Sequence, residues 1–239
     1  MPLKRCLFSL RAAAFLVALC SALYSAPRIK AAEYAGYYDT FFGQNATSPG
    51  TPTPWVTTTI RDGLSAGTVF ITVSNSSLLL PSAKLDEATL NFNPNLNISS
   101  LSFTLDSSVG LFTAPTILTG TNAFQANGDG KYDIKLDFIV GMQNASFAGG
   151  ESITYKVTGI STLTADDFIF LSAPGGNTAG PFYMAGHLQG LGQNGNKSAF
   201  IAPSGIVAVP EPAPLALFAL GIGLLLIEQS GRRKTRRLR

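Results

Sequence analysis

Cysteine is nearly absent from this 239-residue chain, and its two examples, Cys6 and Cys20, both lie close to the N-terminus. The remaining sequence offers no thiolate metal ligand, no catalytic thiol and no disulfide, so its stability has to come from packing. Histidine is equally scarce, because His187 is the single example. A cluster of imidazole ligands is therefore excluded. The position of His187 in a strand pattern, between Gly186 and Leu188, favours a structural or surface role.

Basic residues are also scarce in the central part of the chain. The formal net charge of +3 comes from the two ends, because residues 33–209 contain six basic residues against twelve acidic ones. Nucleic-acid affinity depends largely on Lys and Arg side chains that neutralise phosphates. We therefore expect no nucleic-acid binding by this acidic region.

The N-terminus has the pattern of a secretory signal peptide. Lys4, Arg5 and Arg11 are followed by an apolar stretch over residues 12–23, whose length suits a signal-peptide core better than a membrane span. We assign residues 1–32 to this signal and leave the cleavage point open. An uncleaved N-terminal anchor is the alternative. Both cysteines fall within the signal, so the mature protein is expected to contain none.

Residues 33–201 predict an antiparallel two-sheet β-sandwich of eight or so strands. Short segments alternate apolar and polar residues with a period of two, as half-buried strands do, and clusters of Asn, Gly and Pro separate them. The segments predicted as strands are residues 68–73, 90–93, 101–105, 132–138, 153–157, 182–189 and 198–201. The pattern does not distinguish a jelly-roll from an immunoglobulin-like or cohesin-like topology.

An aromatic cluster precedes these strands. Tyr34, Tyr37, Tyr38 and Trp55 suggest a platform on which sugar rings stack, and we treat them as a carbohydrate-contact hypothesis. The commoner use of such a cluster is a first strand buried against a sheet. Both interpretations are kept.

A loop around Asn127 gathers oxygen-bearing side chains in the way that calcium loops do. Asn127, Asp129 and Asp133 are the candidate ligands. However, Gln125 and Leu136 stand where an EF-hand-like loop needs its first carboxylate and its bidentate acid. A hairpin turn is the favoured alternative. We therefore expect no cofactor and keep calcium only as the weaker hypothesis.

Paired carboxylates raise the hypothesis of general acid–base catalysis. Asp133 and Asp137 share strand parity with Lys135, and Asp166 is adjacent to Asp167. A glycoside hydrolase needs two carboxyl groups about 5–10 Å apart. Because solvated edge residues are the more usual explanation, we expect the protein not to be an enzyme.

The C-terminal part of the chain combines three features in a fixed order. Residues 202–212 form a predicted linker that ends in a Val-Pro-Glu-Pro motif. Its residues are Val209, Pro210, Glu211 and Pro212. Residues 213–231 follow as a predicted transmembrane helix, whose uncharged core is short for a span and needs its flanking residues to cross the bilayer. Residues 232–239 form a basic tail that is expected to stay cytoplasmic. Its cations are Arg232, Arg233, Lys234, Arg236, Arg237 and Arg239.

The Pro-Glu-Pro motif, the glycine-containing apolar segment and the terminal Arg cluster closely resemble the PEP-CTERM sorting signal of exported proteins of Gram-negative bacteria. The resemblance covers residues 209–239, and the predicted N-terminal signal peptide accords with it. It implies that Pro210, Glu211 and Pro212 are recognised by an exosortase, a membrane protease with a cysteine nucleophile. The family association is with biofilm and exopolysaccharide production. An ordinary single-span anchor is the alternative.

The sequence thus predicts an exported protein without catalytic activity. The precursor is expected in the inner membrane with its domain in the periplasm, and the processed form at the cell surface or in the extracellular matrix. Exosortase and exopolysaccharide are the expected partners. A carbohydrate-binding β-sandwich module is the second hypothesis, and a secreted hydrolase is the third.

Overall fold

The computed structural model describes residues 32–210, apart from residue 44, residues 142–144 and residues 177–178. This part of the chain contains twelve strands that pair antiparallel, which confirms the predicted all-β class with more strands than expected. Two short 3₁₀ turns, Ile98–Ser100 and Ala165–Phe168, accompany them. Within the same residues, no helix has the length and apolarity that a membrane span requires. The predicted signal peptide, transmembrane helix and basic tail lie outside the described residues.

The strands form one continuous hydrogen-bonded sheet. In chain order they are β1 (Glu33–Phe42), β2 (Val56–Asp62), β3 (Val69–Asn75), β4 (Lys84–Leu90), β5 (Ser102–Val109), β6 (Thr116–Gln125), β7 (Gly130–Asp137), β8 (Phe147–Ala148), β9 (Ser152–Thr158), β10 (Ala173–Pro174), β11 (Met184–Leu191) and β12 (Lys197–Ala208). Across the sheet the order is β10-β7-β4-β11-β12-β1-β2-β3-β9-β5, while β6 pairs with β7 and β8 with β4. The central β1–β12 pair therefore joins two halves of the sheet.

Side-chain alternation places one face of the sheet in a common core. Along β3 and β7, buried residues alternate with partly exposed ones over the whole strand. Buried side chains from the two halves belong to one cluster, which includes Ile60 and Ile71 from one half and Leu85 and Leu136 from the other. Because strands far apart in the sheet order share this core, the sheet curls until its apolar face covers itself. The result is a sandwich-like fold.

The last strand extends further than the sequence predicted. β12 pairs with β1 as far as Ala208, whose partner is Tyr34. Residues 202–208, which the sequence assigned to a linker, therefore belong to the sheet. Pro203 suggested a break in the strand, but it lies where the β1–β12 register shifts and the hydrogen-bond ladder is already interrupted.

The two outer strands, β5 and β6, have side chains that are mostly exposed on both faces. Pairing of β6 with β7 is interrupted between Thr119 and Phe124, whose partners are Ile134 and Tyr132. Residues 120–123 therefore bulge out of the strand. The sequence of β6 lacks a regular alternation of apolar and polar residues, which explains why the pattern did not predict it, whereas residues 101–105 alternate and the predicted segment overlaps β5.

Replacing Phe147 with Ala tests the core. The Phe147 ring is fully buried and stacks against Phe138 at a centroid distance of 4.5 Å. We expect the F147A variant to lose about 3–5 kcal/mol of unfolding free energy in urea titrations, because the cavity cannot close. The control is Leu111→Ala, whose side chain is 77% exposed and whose loss should stay within about 0.5 kcal/mol. Equal losses in the two variants would contradict this description of the core.

Candidate functional site

The four residues of the predicted aromatic platform do not share one exposed surface. Tyr38 and Trp55 lie in the core, which raises the pKa of Tyr38 because burial disfavours its phenolate. The Trp55 indole Nε1 donates to the Gly50 carbonyl at 2.7 Å. Tyr37 is 42% exposed, whereas the Tyr34 hydroxyl donates to Asp166, and this hydrogen bond raises the pKa of Tyr34 to about 12. The structure thus favours the alternative of a buried first strand.

The candidate calcium loop forms the turn between β6 and β7. Asn127 and Gly128 have φ values of 49° and 76°, and positive φ at both central residues is what a type I′ turn requires. The turn is closed by the Asp129 N–H, which donates to the Ala126 carbonyl at 2.9 Å. The Asp129 Oδ1 accepts the Ala179 N–H at 3.1 Å. The geometry therefore fits the hairpin-turn alternative.

Asp133 does not join Asp129 at this turn. Its Oδ1 accepts the Asn122 N–H at 2.7 Å, and its Oδ2 accepts the Phe92 N–H at 2.9 Å. Asp129 and Asp133 are four positions apart along the chain, which corresponds to roughly 13 Å of extended backbone. In the described ranges, no group of three or more His, Cys, Asp or Glu side chains is placed to hold a metal ion.

The pair of Asp166 and Asp167 serves the second 3₁₀ turn. Asp167 Oδ2 accepts the Thr164 N–H at 2.9 Å in a capping box, and Asp167 Oδ1 accepts the Asn93 side-chain amide at 2.8 Å. Asp166 accepts the Tyr34 hydroxyl. Both carboxylates therefore hold parts of the fold together.

A polar network that the sequence did not predict lies across β4, β7 and β11. The β4–β11 register shifts at Asp86, which is the extra residue of a β-bulge. Asp86 Oδ2 lies 2.9 Å from His187 Nδ1 and accepts a hydrogen bond from Gln189 Nε2 at 2.7 Å. The His187 ring stacks on Phe200 at a centroid distance of 4.3 Å. The single histidine thus has a carboxylate partner and an aromatic neighbour.

Lys135 forms the second centre of this network. Its Nζ lies 3.0 Å from Asp137 Oδ1 and 3.6 Å from Glu87 Oε2. Lys135 and Asp137, which were predicted to lie on the same face of the strand, are therefore in contact. Asp133, on the same strand, takes part in a different set of hydrogen bonds.

The pKa values of the adjacent carboxyl groups in this network move in opposite directions. Burial disfavours ionisation of Asp86, but hydrogen bonds from His187 and Gln189 outweigh it, so the pKa of Asp86 is lowered. Burial dominates at Glu87 and raises its pKa, although Lys135 offsets part of this effect. Diverging pKa values occur in acid–base pairs and in structural ion-pair networks alike. The hydrogen bonds and ion pairs made within the network favour the structural role.

The segment predicted as a sorting motif begins where the described sheet ends. The Val209 N–H donates to the Glu33 carbonyl at 2.8 Å, next to the start of β1. Pro210 is the last described residue, and Glu211, Pro212 and the six cations of the basic tail lie outside the described residues. The motif therefore follows β12 without an intervening spacer.

Comparison of the chain with protein-family models, with curated proteins and with solved structures gives no match.

Replacing Asp86 with Asn tests the charge of the network. We expect D86N to lose about 1 kcal/mol of stability at pH 5. This is less than the roughly 1.5–3 kcal/mol of a hydrogen bond to a charged group, because solvent partly screens the pair. Since the pKa of Asp86 is lowered in the folded state, its charged form stabilises the fold above the ordinary carboxyl pKa of about 3.9. The difference from wild type should disappear as the pH falls through the lowered pKa.

Urea unfolding between pH 5 and pH 2 measures this difference. The control is Asp106→Asn, because Asp106 is exposed and, of the described residues, its side chain bonds only to Ser107. This variant should follow the wild type at every pH. A stability loss in D86N that is the same at pH 2 as at pH 5 would show that the charge of Asp86 is not involved.

Proposed function

We propose that this chain is an exported surface or extracellular-matrix protein, sorted by an exosortase through its PEP-CTERM signal. In the proposed precursor, residues 213–231 hold the chain in the inner membrane and the domain lies in the periplasm. The processed protein then acts without catalysis and associates with exopolysaccharide. The observation that carries this proposal is the arrangement of the two ends of the domain.

The two ends of the domain lie side by side. Val209 is hydrogen-bonded to Glu33, so the chain enters and leaves the sheet at the same place. The neighbouring residues Val207 and Ala208 are exposed. Pro210 has no N–H to continue the strand ladder, which suits the boundary between the folded domain and a processing site. A cut beyond Pro210 would leave the hydrogen bonds of β12 intact.

The contacts of the carboxylates support a role without catalysis. Asp133, Asp137, Asp166 and Asp167 each bind a donor within the protein. A hydrolase would need one carboxyl group free to reach the leaving group and another to reach water or the anomeric carbon.

We further propose that the curled sheet is a two-sheet sandwich whose layers meet at β1 and β12. The register shifts in this pair, on either side of Tyr38, support the proposal. Irregularities of this kind bend strands and allow them to pass from one layer to the other. A jelly-roll, an immunoglobulin-like and a cohesin-like topology remain the alternatives for this arrangement.

Replacing Pro210, Glu211 and Pro212 together with Ala tests the sorting proposal in the native host. We expect the wild-type protein to be released in a shortened form, and the triple variant to remain in the membrane fraction with its C-terminus at Arg239. Intact-mass measurement of each fraction gives the C-terminus directly. A host strain without the sorting protease should retain the wild-type protein in the same way.

The matched control is Pro214→Ala, which removes a nearby proline outside the motif and should leave processing unchanged. Surface-released wild-type protein that still ends at Arg239 would overturn the proposal. If the triple variant were processed normally, residues other than Pro210, Glu211 and Pro212 would be the ones that the sorting protease recognises.

A further inference from the structure

A small cleft opens beside the bulge of β6. Its volume is about 180 Å³, and it lies between the bulge, the segment that follows β4 and the segment that precedes β10. Its lining includes Thr121, Asn122, Asp133, Pro94, Phe170 and Leu171. This volume is below the about 300–1,000 Å³ of pockets for drug-sized molecules, so the cleft suits one small ring.

The carboxylate of Asp133 connects two walls of the cleft by hydrogen bonds. Asp133 Oδ1 accepts the Asn122 N–H on one wall, and Asp133 Oδ2 accepts the Phe92 N–H on the other. Asn122 has a φ of 53°, which is uncommon outside glycine. Bulges and non-glycine residues at positive φ are concentrated at functional sites. They interrupt the regular pairing of strands there and change the direction of particular side chains. The walls are therefore fixed before a ligand arrives.

The lining of the cleft combines two kinds of side chain. Thr121 and Asn122 belong to it, and neither side chain forms a hydrogen bond to another described residue. The Asn122 amide offers both a donor and an acceptor. The lining also includes Phe170, which is partly exposed, Leu171, which is 50% exposed, and the exposed Pro94. The lining thus supplies both hydrogen-bonding groups and apolar surface.

We infer that this cleft binds one neutral hexopyranose unit. A pyranose presents hydroxyl groups at its edge and C–H groups on its face, which match the hydrogen-bonding and apolar residues of the lining. An anionic ligand is disfavoured because Asp133 is the only charged side chain among the described residues that line the cleft. A metal ion is disfavoured because Asp133 is the only carboxylate among the described residues of the lining, and no group of three or more His, Cys, Asp or Glu side chains in the described ranges is placed to hold one.

The inference gives a site to the exopolysaccharide association of the proposed function, and it does not depend on the sorting proposal. A chain that is sorted normally but binds no sugar, and a chain that binds sugar but is not sorted, are distinguishable results. The cleft also differs from the aromatic platform predicted from the sequence, because it includes neither Tyr37 nor Trp55.

Saturation-transfer difference NMR on the full chain tests the inference. The protein is kept in dodecylphosphocholine, a detergent without sugar groups, and is titrated with the methyl glycosides of glucose, mannose and galactose. We expect saturation transfer to at least one of them, and an affinity at least about fivefold weaker for the uronic acid that corresponds to that sugar. Methyl saturation is expected to reach the ring protons that face Leu171.

Two variants assign the binding to the cleft. Asn122→Gly removes the amide and retains a residue that accepts positive φ, so we expect the affinity to fall about tenfold while the unfolding temperature stays within a few degrees of wild type. Leu171→Ser removes the exposed apolar contact without altering the core and should also weaken binding. The matched control is Asn45→Gly, because Asn45 has a φ of 60° and is not part of the cleft lining.

Three results would overturn the inference. The first is the absence of saturation transfer from all three neutral glycosides at concentrations of tens of millimolar. The second is wild-type affinity in both cleft variants, or an equal loss in N45G. The third is binding of the corresponding uronic acid as tight as that of the neutral sugar.

Discussion

The pairing of β1 with β12 is the constraint on which the rest of the structure depends. It connects the half of the sheet that contains β2, β3, β9 and β5 to the half that contains β11, β4, β7 and β6. Asp39 reinforces it by accepting two hydrogen bonds from Ser204, through the backbone N–H and through Oγ, both at 2.8 Å. The described residues contain no cysteine, so this backbone ladder and the apolar core that it closes take the place of a covalent link.

The half of the sheet around β7 contains both the polar network of Lys135 and the cleft beside Asp133. Asp133 and Asp137 lie on the same face of one strand, yet they have different surroundings. Asp137 contacts Lys135, whose ammonium group also faces Glu87. Asp133 instead accepts two backbone N–H groups from neighbouring segments. One strand thus contributes to an ion-pair network near one end and to a preformed cleft near the other.

Local pattern was sufficient to predict those half-buried strands in which apolar and polar residues alternate. In β7 and β9, apolar residues such as Ile134, Leu136 and Ile153 alternate with polar ones, and the predicted segments overlap the observed strands. The predicted segment at residues 90–93 overlaps the strand β4 only at Leu90, because its last residues continue into the chain that lines the cleft. The Thr-rich strand β2 was not predicted.

The polar sites could not be derived from local pattern. Asp86 and His187 meet because β4 pairs with β11 and because a bulge inserts one residue. Neither the pairing partner nor the bulge leaves a local signal in the sequence. The aromatic residues near the N-terminus were recognisable as a cluster in the sequence. Composition alone does not say which of their side chains lie in the core and which are exposed to solvent. Tyr38 and Trp55 proved to be core residues, whereas the cleft is formed by Asn122, Leu171 and their neighbours.

The position of β12 also governs when the domain can be completed. A β-sheet whose central pair joins the first and last strands of the domain is rich in non-local contacts, which form slowly. A chain that crosses a membrane from its N-terminus presents β1 long before its partner strand has emerged. Until the residues just before Pro210 have crossed, the edges of β1 and β11 that face β12 stay unpaired, and such edges associate readily with other chains. For a chain that is exported as we propose, completion of the fold is thus coupled to the emergence of β12 from the membrane, and the domain depends on protection from aggregation until that step.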